Sequence, residues 1–568
     1  MTSHRPWFAS YPEGVPHTLE PYPERSLFSL LEEAVGSMPD RTAIAFFGKH
    51  TSYGQLLAEA ERFSAVLASL GVQRGDRVAF VMPNCPQLAA AFFGAQRLGA
   101  IAVPNNPLYT PRELSHQLTD CGARVVLVLD QLYPLLEKAR EGTEVEHVIV
   151  TKVTDAMKFP LNLLAPLKFK KEAKAEGKPW PPVPADADVL WWRDVMRGGD
   201  PLPPAGQVSP REDAAALVYT GGTTGVSKGA MLSHFNIVSN AMQAKAWITT
   251  VGEGTDVVML ALPLFHSYGL MCFMFAVITK NTTVMVPRFE LGMVLKQLAK
   301  EKVTLFPGVP RMYLVMNEAP ETRKFDLRSV KICVSGAAPL PLAVARRFEE
   351  VTGGAQAVEG YGLTETSPVT HVNPIEGVRK EGSIGLPLPD TDCKIVDLED
   401  PEHEMGAGEP GELCMRGPQV MLGYWNRPEE TAAMIRNGWL HSGDVAQFDE
   451  QGYFSIVDRL KDMVIVSGFN VYPTAVEEAL YRHPKILKAA VIGVPDDVTG
   501  EALKAFVVLR PGETATAQEI VAWCRDPEGG GLTAYRVPKQ IEFRDSLPET
   551  LIGKVLRRVL QEEERAKR

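Results

Sequence analysis

The chain has 568 residues, too many for one compact core, so several domains or subdomains are expected. Its 45% hydrophobic and 23% charged content is that of a globular protein, and a net charge of −10 argues against nucleic acid as the main partner. No basic-then-apolar leader is read at the start. The longest apolar helical stretch, residues 270–279, is too short to span a bilayer, and the last residues carry no lipidation or peroxisomal signal.

In chain order, residues 78–82 read as a strand, 86–98 as a helix and 101–103 as a second strand. Residues 124–129 and 146–151 read as strands on either side of a helix at 133–140. A Pro- and Lys-rich stretch at 152–210 reads as an insertion or surface excursion. Within it Leu161, Leu163, Leu164, Leu167 and Phe169 mix with Lys168, Lys170, Lys171 and Lys174, while Pro160 and Pro166 keep any helix short. Two readings stand: a peripheral membrane contact through about 158–178, or a loop packing its apolar residues on the body. Further strands are expected at 257–262, 283–286 and 331–334, giving an α/β fold of largely parallel, buried strands.

From 376 to 458 the pattern is rich in strands and glycine turns, as in a small barrel or sheet. Beyond it, strands at 464–466, 489–492 and 505–509 with helices at 474–482 and 516–523 make a small α+β domain. The expected division is a large domain at 1–457 with two α/β subdomains and the β-barrel-like subdomain, a hinge at 458–462, and a small mobile domain at 463–568. Cys85, Cys121, Cys272, Cys333, Cys393, Cys414 and Cys524 are scattered without a Cys-x-x-Cys pair. They suggest buried apolar thiols in a reducing cytoplasm rather than a zinc or disulfide framework.

Five segments carry chemistry. Tyr219-Thr-Gly-Gly-Thr-Thr-Gly-Val-Ser-Lys-Gly229 follows the apolar run 214–218. Gly221, Gly222 and Gly225 permit close backbone approach, and Thr220, Thr223, Thr224, Ser227 and Lys228 supply donors, which is the chemistry of a polyphosphate cradle. It is not a Walker loop, because Lys228 follows Ser227 and precedes Gly229. Gly336, Ala337, Ala338 and Pro339 follow a strand with small residues that leave room for a flat ring; a tight strand-to-helix turn would read the same way. In the run after Gly360, Tyr361 can stack on a purine, Thr364 can donate to a phosphate, and Glu365 can hold Mg²⁺. Asp444 follows a glycine turn and offers a carboxylate to vicinal hydroxyls, with Arg459 a second ribose or phosphate ligand. Lys554 sits between Gly553 and the tail, where it can neutralise a carboxylate attacking a phosphate.

These segments, with Asn437-Gly-Trp-Leu-His-Ser-Gly-Asp444 and Asp458-Arg-Leu-Lys-Asp-Met-Val-Ile-Val-Ser-Gly-Phe-Asn-Val-Tyr-Pro473, resemble the adenylate-forming superfamily of acyl-CoA synthetases, amino-acid adenylation domains and luciferases. The likeness extends from about residue 28 to 558 and is strongest to bacterial long-chain fatty-acid–CoA ligases. One departure is Ser227, where this family often has proline.

The resemblance implies that a carboxylate attacks the α-phosphate of ATP, giving an acyl-adenylate and pyrophosphate, and that the thiol of CoA then displaces AMP. It further implies residue roles. The loop 220–228 cradles the β- and γ-phosphates; Gly336, Ala337, Ala338, Pro339, Gly360 and Tyr361 flank adenine. Thr364 touches the α-phosphate; Glu365 binds Mg²⁺, with Thr224 a second candidate ligand; Asp444 and Arg459 bind ribose. Lys461 is the hinge, Lys554 serves adenylation alone, and Ser467, Gly468 and Phe469 line the CoA channel.

His266, Tyr268 and Gly269 would border the acyl pocket, with His266 near the carboxylate and Gly308 and Val309 opposite. Amino-acid adenylating relatives place an aspartate where this chain has His266, so an uncharged apolar acid is expected. A medium- to long-chain fatty acid is the leading substrate. An aryl acid of the coumarate type, transfer to a carrier protein instead of CoA, and a catalytically inactive lipid-binding protein are the alternatives. Oligomeric state is left open, a homodimer among the options.

Overall fold

The computed structural model describes residues 5–166, 171, 183, 189–199, 201–220, 227–467, 469–496, 498–549 and 555–567. Two large sheets organise the first part of the chain. The first has the order 423–424, 229–233, 214–219, 101–105, 77–81, 125–129, 147–151, 189–191. Its strands from 214–219 to 189–191 run parallel, and the two at the other end are antiparallel. Val125–Leu129 is buried at every position, which is why it reads as an unbroken apolar run rather than an alternating one.

The second sheet pairs Thr282–Met285 with Val257–Leu260 on one side and Thr42–Phe46 on the other. A single bridging residue, Leu305, connects it to Ile332–Ser335 and so to Gln356–Gly362 and Val369–Val372. Pro86–Leu98 is buried along its whole length, and Ser267–Ile278 nearly so, as expected of helices inside a core rather than on a surface. Ser52, Thr110 and Ser233 open their helices with capping boxes, satisfying backbone donors that the first turn leaves free.

A third, antiparallel sheet joins Asp392–Val396, Gly411–Arg416, Trp439–Phe448 and Phe454–Arg459, which is the small β unit expected between 376 and 458. The last sheet holds Val464–Val466, Phe469–Val471, Ile486–Asp496, Gly500–Leu509 and Gln540–Phe543, with helices Pro473–Tyr481, Ala517–Arg525 and Arg557–Ala566. Its apolar residues gather in two clusters of their own, separate from those of the preceding sheets.

The stretch at 152–210 is more integrated than an excursion. Val189–Trp191 returns to the first sheet as a parallel edge strand beside His147–Thr151. Farther on, the Arg97 guanidinium donates to the Pro203 carbonyl at 2.8 Å. The apolar residues at 159–164 do not pack on the body. Phe159 is 71% exposed, and Leu161, Leu163 and Leu164 are exposed beside it. Leu167, Lys168, Phe169, Lys170 and Lys174 lie outside the described residues.

Candidate active site

The phosphate-loop motif leaves Ala214–Tyr219 and returns as Gly229–Ser233, two antiparallel neighbours. Its neck is tied twice: the Thr220 amide donates to the Lys228 carbonyl at 2.9 Å, and the Ser227 hydroxyl donates to the Thr220 carbonyl at 2.6 Å. Gly221, Gly222, Thr223, Thr224 and Gly225 lie outside the described residues. At the stem, the Tyr219 hydroxyl donates to Asp120 at 2.7 Å, and Asp120 also meets Arg427 at 3.0 Å.

Ile332–Ser335 ends in Gly336, Ala337, Ala338 and Pro339, the small-residue wall. Ala337 adopts φ 67°, so a left-handed turn is built into that wall. The Leu340 amide donates to the Glu359 carboxylate at 2.9 Å, and burial pushes the Glu359 carboxyl up to about 7. Gly360 and Tyr361 follow on the adjacent strand. Gly308 lies across from them: its amide donates to Val334 at 3.0 Å and its carbonyl accepts from Gly336 at 3.1 Å.

Asp444 and Arg459 are register partners on neighbouring strands, which makes an ion pair of 3.3 Å a direct consequence of sheet geometry. The Tyr361 hydroxyl donates to the other Asp444 oxygen at 2.6 Å. Asp444 is only 4% exposed. Glu412 supports the turn before it, accepting from the Gly443 amide at 3.0 Å and lying 2.8 Å from His441 Nδ1.

Glu365 occupies the short turn Thr364–Thr366 and is 9% exposed. Its Oε1 accepts from the Tyr424 hydroxyl at 2.6 Å. The approach to this turn needs glycine: a Cβ on Gly362 would sit 1.8 Å from the Pro368 carbonyl. The Thr364 and Ser267 hydroxyls are 3.5 Å apart, bringing the phosphate-side turn to the start of the helix Ser267–Ile278.

His266 caps that helix, its Nδ1 accepting from the Tyr268 amide at 3.3 Å. Asn84 fixes the approach to it, donating to the Leu260 and Leu262 carbonyls and accepting from the Leu264 amide at 2.8 Å. Gly269 is required by space, since a Cβ would lie 2.1 Å from the Pro263 carbonyl. Behind Tyr268 opens a narrow apolar cavity of about 50 Å³ bounded by Trp247, Met271, Cys272, Phe275 and Leu305 among others. Of the expected acyl-pocket residues Tyr268 lines it; His266, Gly269, Gly308 and Val309 are not among its lining residues.

Lys461 lies in the turn Leu460–Asp462 just after Arg459; burial, then the Arg459 charge, lower its pKa. Ser467 holds φ 53°, and Phe469 is 54% exposed with its ring stacked on Tyr535 at 4.7 Å. Gly468 and Lys554 lie outside the described residues. The segment that carries Lys554 is bracketed by the bridge between Glu549 and Val555. Glu549 is paired with Lys488 and, at 2.8 Å, with Arg311 on the helix that starts at Pro310, directly after Gly308 and Val309. Sequence reasoning did not single out Tyr424, Glu412, Ser267, Asn84, Arg311 or Glu549. Their roles rest on partners distant in the chain, which no local motif reveals.

The tied loop neck, the buried carboxylates Asp444 and Glu365, the small residues 336–339 and the apolar cavity behind Tyr268 together suit an enzyme that activates a carboxylate with a nucleotide. The AMP-binding enzyme family model matches residues 31–425, and the model of the AMP-binding enzyme C-terminal domain matches residues 475–554. The chain belongs to the AMP-binding enzyme family. It is 44% identical over 567 residues to the long-chain-fatty-acid–CoA ligase of Bacillus subtilis (strain 168), covering 99% of each chain. It is 41% identical to the long-chain-fatty-acid–CoA ligase of Escherichia coli O157:H7, over 99% of this chain and 98% of that one. Among solved structures, ATP-bound MatB from Rhodopseudomonas palustris superposes with a TM-score of 0.81 at 30% identity, over 95% of this chain and 99% of that one.

Proposed function

We infer that the protein is an ATP-dependent long-chain fatty-acid–CoA ligase. It joins a fatty carboxylate to AMP and then passes the acyl group to the thiol of CoA. The observation that carries this reading is the junction at Ser267 and Thr364: the hydroxyl of the phosphate-side turn stands 3.5 Å from the first residue of the helix lining the apolar cavity. A carboxylate at that junction has its alkyl chain on the apolar side and the α-phosphate on the polar side.

In the first step a carboxylate oxygen forms a bond to the α-phosphorus and the bond to pyrophosphate breaks. In the second, the sulfur of CoA bonds the carbonyl carbon and AMP leaves. The first step brings an anion onto a polyanion, so preorganised positive charge is the main requirement. Lys228, at the loop neck, meets the phosphates that depart, and Lys554 meets the incoming carboxylate. Asp444, which Tyr361 holds, and Arg459 bind the ribose, and Gly336 to Pro339 with Gly360 and Tyr361 flank the base. Glu365 fits Mg²⁺: it is a buried carboxylate on which, among the described residues, one hydrogen bond is made, at Oε1. The ion would supply charge neutralisation on the phosphate oxygens. Lys461 is the hinge of the small domain, and Phe469 with Ser467 borders the path of the CoA arm. Met271, unbranched and adaptable, is the cavity residue that gives way to a longer chain.

An assay of CoA-thioester formation across saturated acids of increasing length, with one cinnamic acid, tests this reading. Thioester from the fatty acids supports it. Preference for the cinnamic acid would make the protein an aryl-CoA ligase, and adenylate without thioester would point to a carrier protein as acceptor.

We also propose peripheral membrane contact through about 158–178, where among the described residues exposed Phe159, Leu161, Leu163 and Leu164 stand with exposed Lys158 and Lys171. No helix among the described residues is long and apolar enough to cross a membrane. Co-sedimentation with anionic vesicles, lost on changing Phe159 and Leu163 to serine, is the expected result. Equal sedimentation of the variant would overturn the proposal.

A further inference from the structure

We propose that Tyr424 is a positioning residue for adenylation, fixing the carboxylate of Glu365 and tying it to Lys228 at the exit of the phosphate loop. The proposal rests on the reading above. Two contacts of one side chain carry it: the hydroxyl donates to Glu365 Oε1 at 2.6 Å, and the Lys228 ammonium stands 5.0 Å from the centroid of the same ring. The first fixes the rotation of a carboxylate and so aims its other oxygen. The second gives the lysine an electron-rich surface to rest on.

The backbone around Tyr424 makes the connection rigid. The short strand Gly423–Tyr424 pairs with Gly229–Ser233, Tyr424 opposite Ala230. The Trp425 amide donates to the Gly229 carbonyl at 2.8 Å, and the Met421 amide donates to the Glu365 carbonyl at 2.8 Å. The Tyr424 amide itself donates to Thr431 Oγ1 at 2.8 Å. Residues 421–425 therefore fasten the strand leaving the phosphate loop to the turn bearing Glu365. The aromatic side chain repeats that link at the level of the charged groups. Loss of a partner that orients a metal ligand typically costs roughly 10- to 100-fold in metal affinity.

Two variants separate the contacts. Tyr424→Phe removes the hydroxyl and keeps the ring under Lys228; Tyr424→Leu removes both. The first readout is calorimetric: binding of a non-hydrolysable ATP analogue with and without Mg²⁺. The second compares pyrophosphate release with thioester formation from supplied acyl-adenylate, a step that needs neither the metal nor the pyrophosphate cradle.

For Tyr424→Phe the midpoint of the Mg²⁺ titration should rise roughly 10- to 100-fold, with metal-free analogue binding and thioester formation unchanged. Tyr424→Leu should in addition weaken metal-free binding by roughly threefold or more. Wild-type Mg²⁺ dependence in Tyr424→Phe would overturn the proposal, as would equal loss in both half-reactions. If the unaltered protein formed no acyl-adenylate, the functional reading would fall while the calorimetric comparison still judged Tyr424.

Discussion

The proposed nucleotide site and the segment that follows the turn Leu460–Asp462 are built in opposite ways. In the pocket, Asp444 and Glu365 are buried, and each receives a 2.6 Å hydrogen bond from a tyrosine, Tyr361 or Tyr424. Their positions are set before any ligand arrives, so little reorganisation is left for the reaction. After the hinge, Ile465 and Phe469 are exposed and Ser467 sits in a left-handed conformation. Exposed apolar side chains stand here beside a left-handed turn, with the Phe469 ring resting on Tyr535. A pocket that must hold one nucleotide through two reactions is rigid; a surface expected to meet different partners in each is left open.

That contrast can be broken most sharply at Lys554. If the small domain serves the two steps separately, Lys554→Ala lowers pyrophosphate release by about 10³-fold, in the range seen when a transition-state donor is removed. It leaves thioester formation from supplied acyl-adenylate intact. Equal loss in both would erase the distinction between a shared pocket and a step-specific domain. The pocket side is sharpened by Tyr361→Phe. Removing a hydrogen bond to a charged carboxylate should weaken ATP and acyl-adenylate binding alike, by roughly tenfold, measured as KM for each; an effect on only one would mean that Asp444 is not held for both.

A smaller effect concerns stability and pH. The Glu359 carboxyl, at about 7 in the folded protein, lies above its ordinary value of 4.5. The folded state therefore binds more protons than the unfolded one between those values. The associated stability is present below the unfolded pKa and lost as pH rises through about 7, up to roughly 3 kcal/mol in all. Glu359→Gln should flatten the fall in Tm between pH 5 and 8. An unchanged slope would place that titration elsewhere.

Much of this was legible in the chain itself. Runs such as 125–129 announce buried parallel strands because burial on both faces admits only apolar residues. Thr364, Glu365, Asp444 and Arg459 stand out only through the motifs around them, since polar residues beside glycine turns are common, and Asp444 and Arg459 are brought together as partners on neighbouring strands. Val189–Trp191 did not stand out, since a three-residue edge strand in a Pro- and Lys-rich stretch has too short a pattern to read. Nor did the residues that hold the site. Tyr424 is 59 positions from Glu365, and Arg311 is 238 from Glu549, so only the folded chain brings them together. The apolar cavity was anticipated near Tyr268, but its walls at Trp247 and Leu305 come from separate elements.

The most direct test of the central claim is isotope exchange between pyrophosphate and ATP in the absence of CoA. A ligase that forms an acyl-adenylate in this pocket exchanges label when a long-chain fatty acid is added and not otherwise. Exchange that requires CoA, or that no fatty acid elicits, would contradict the account.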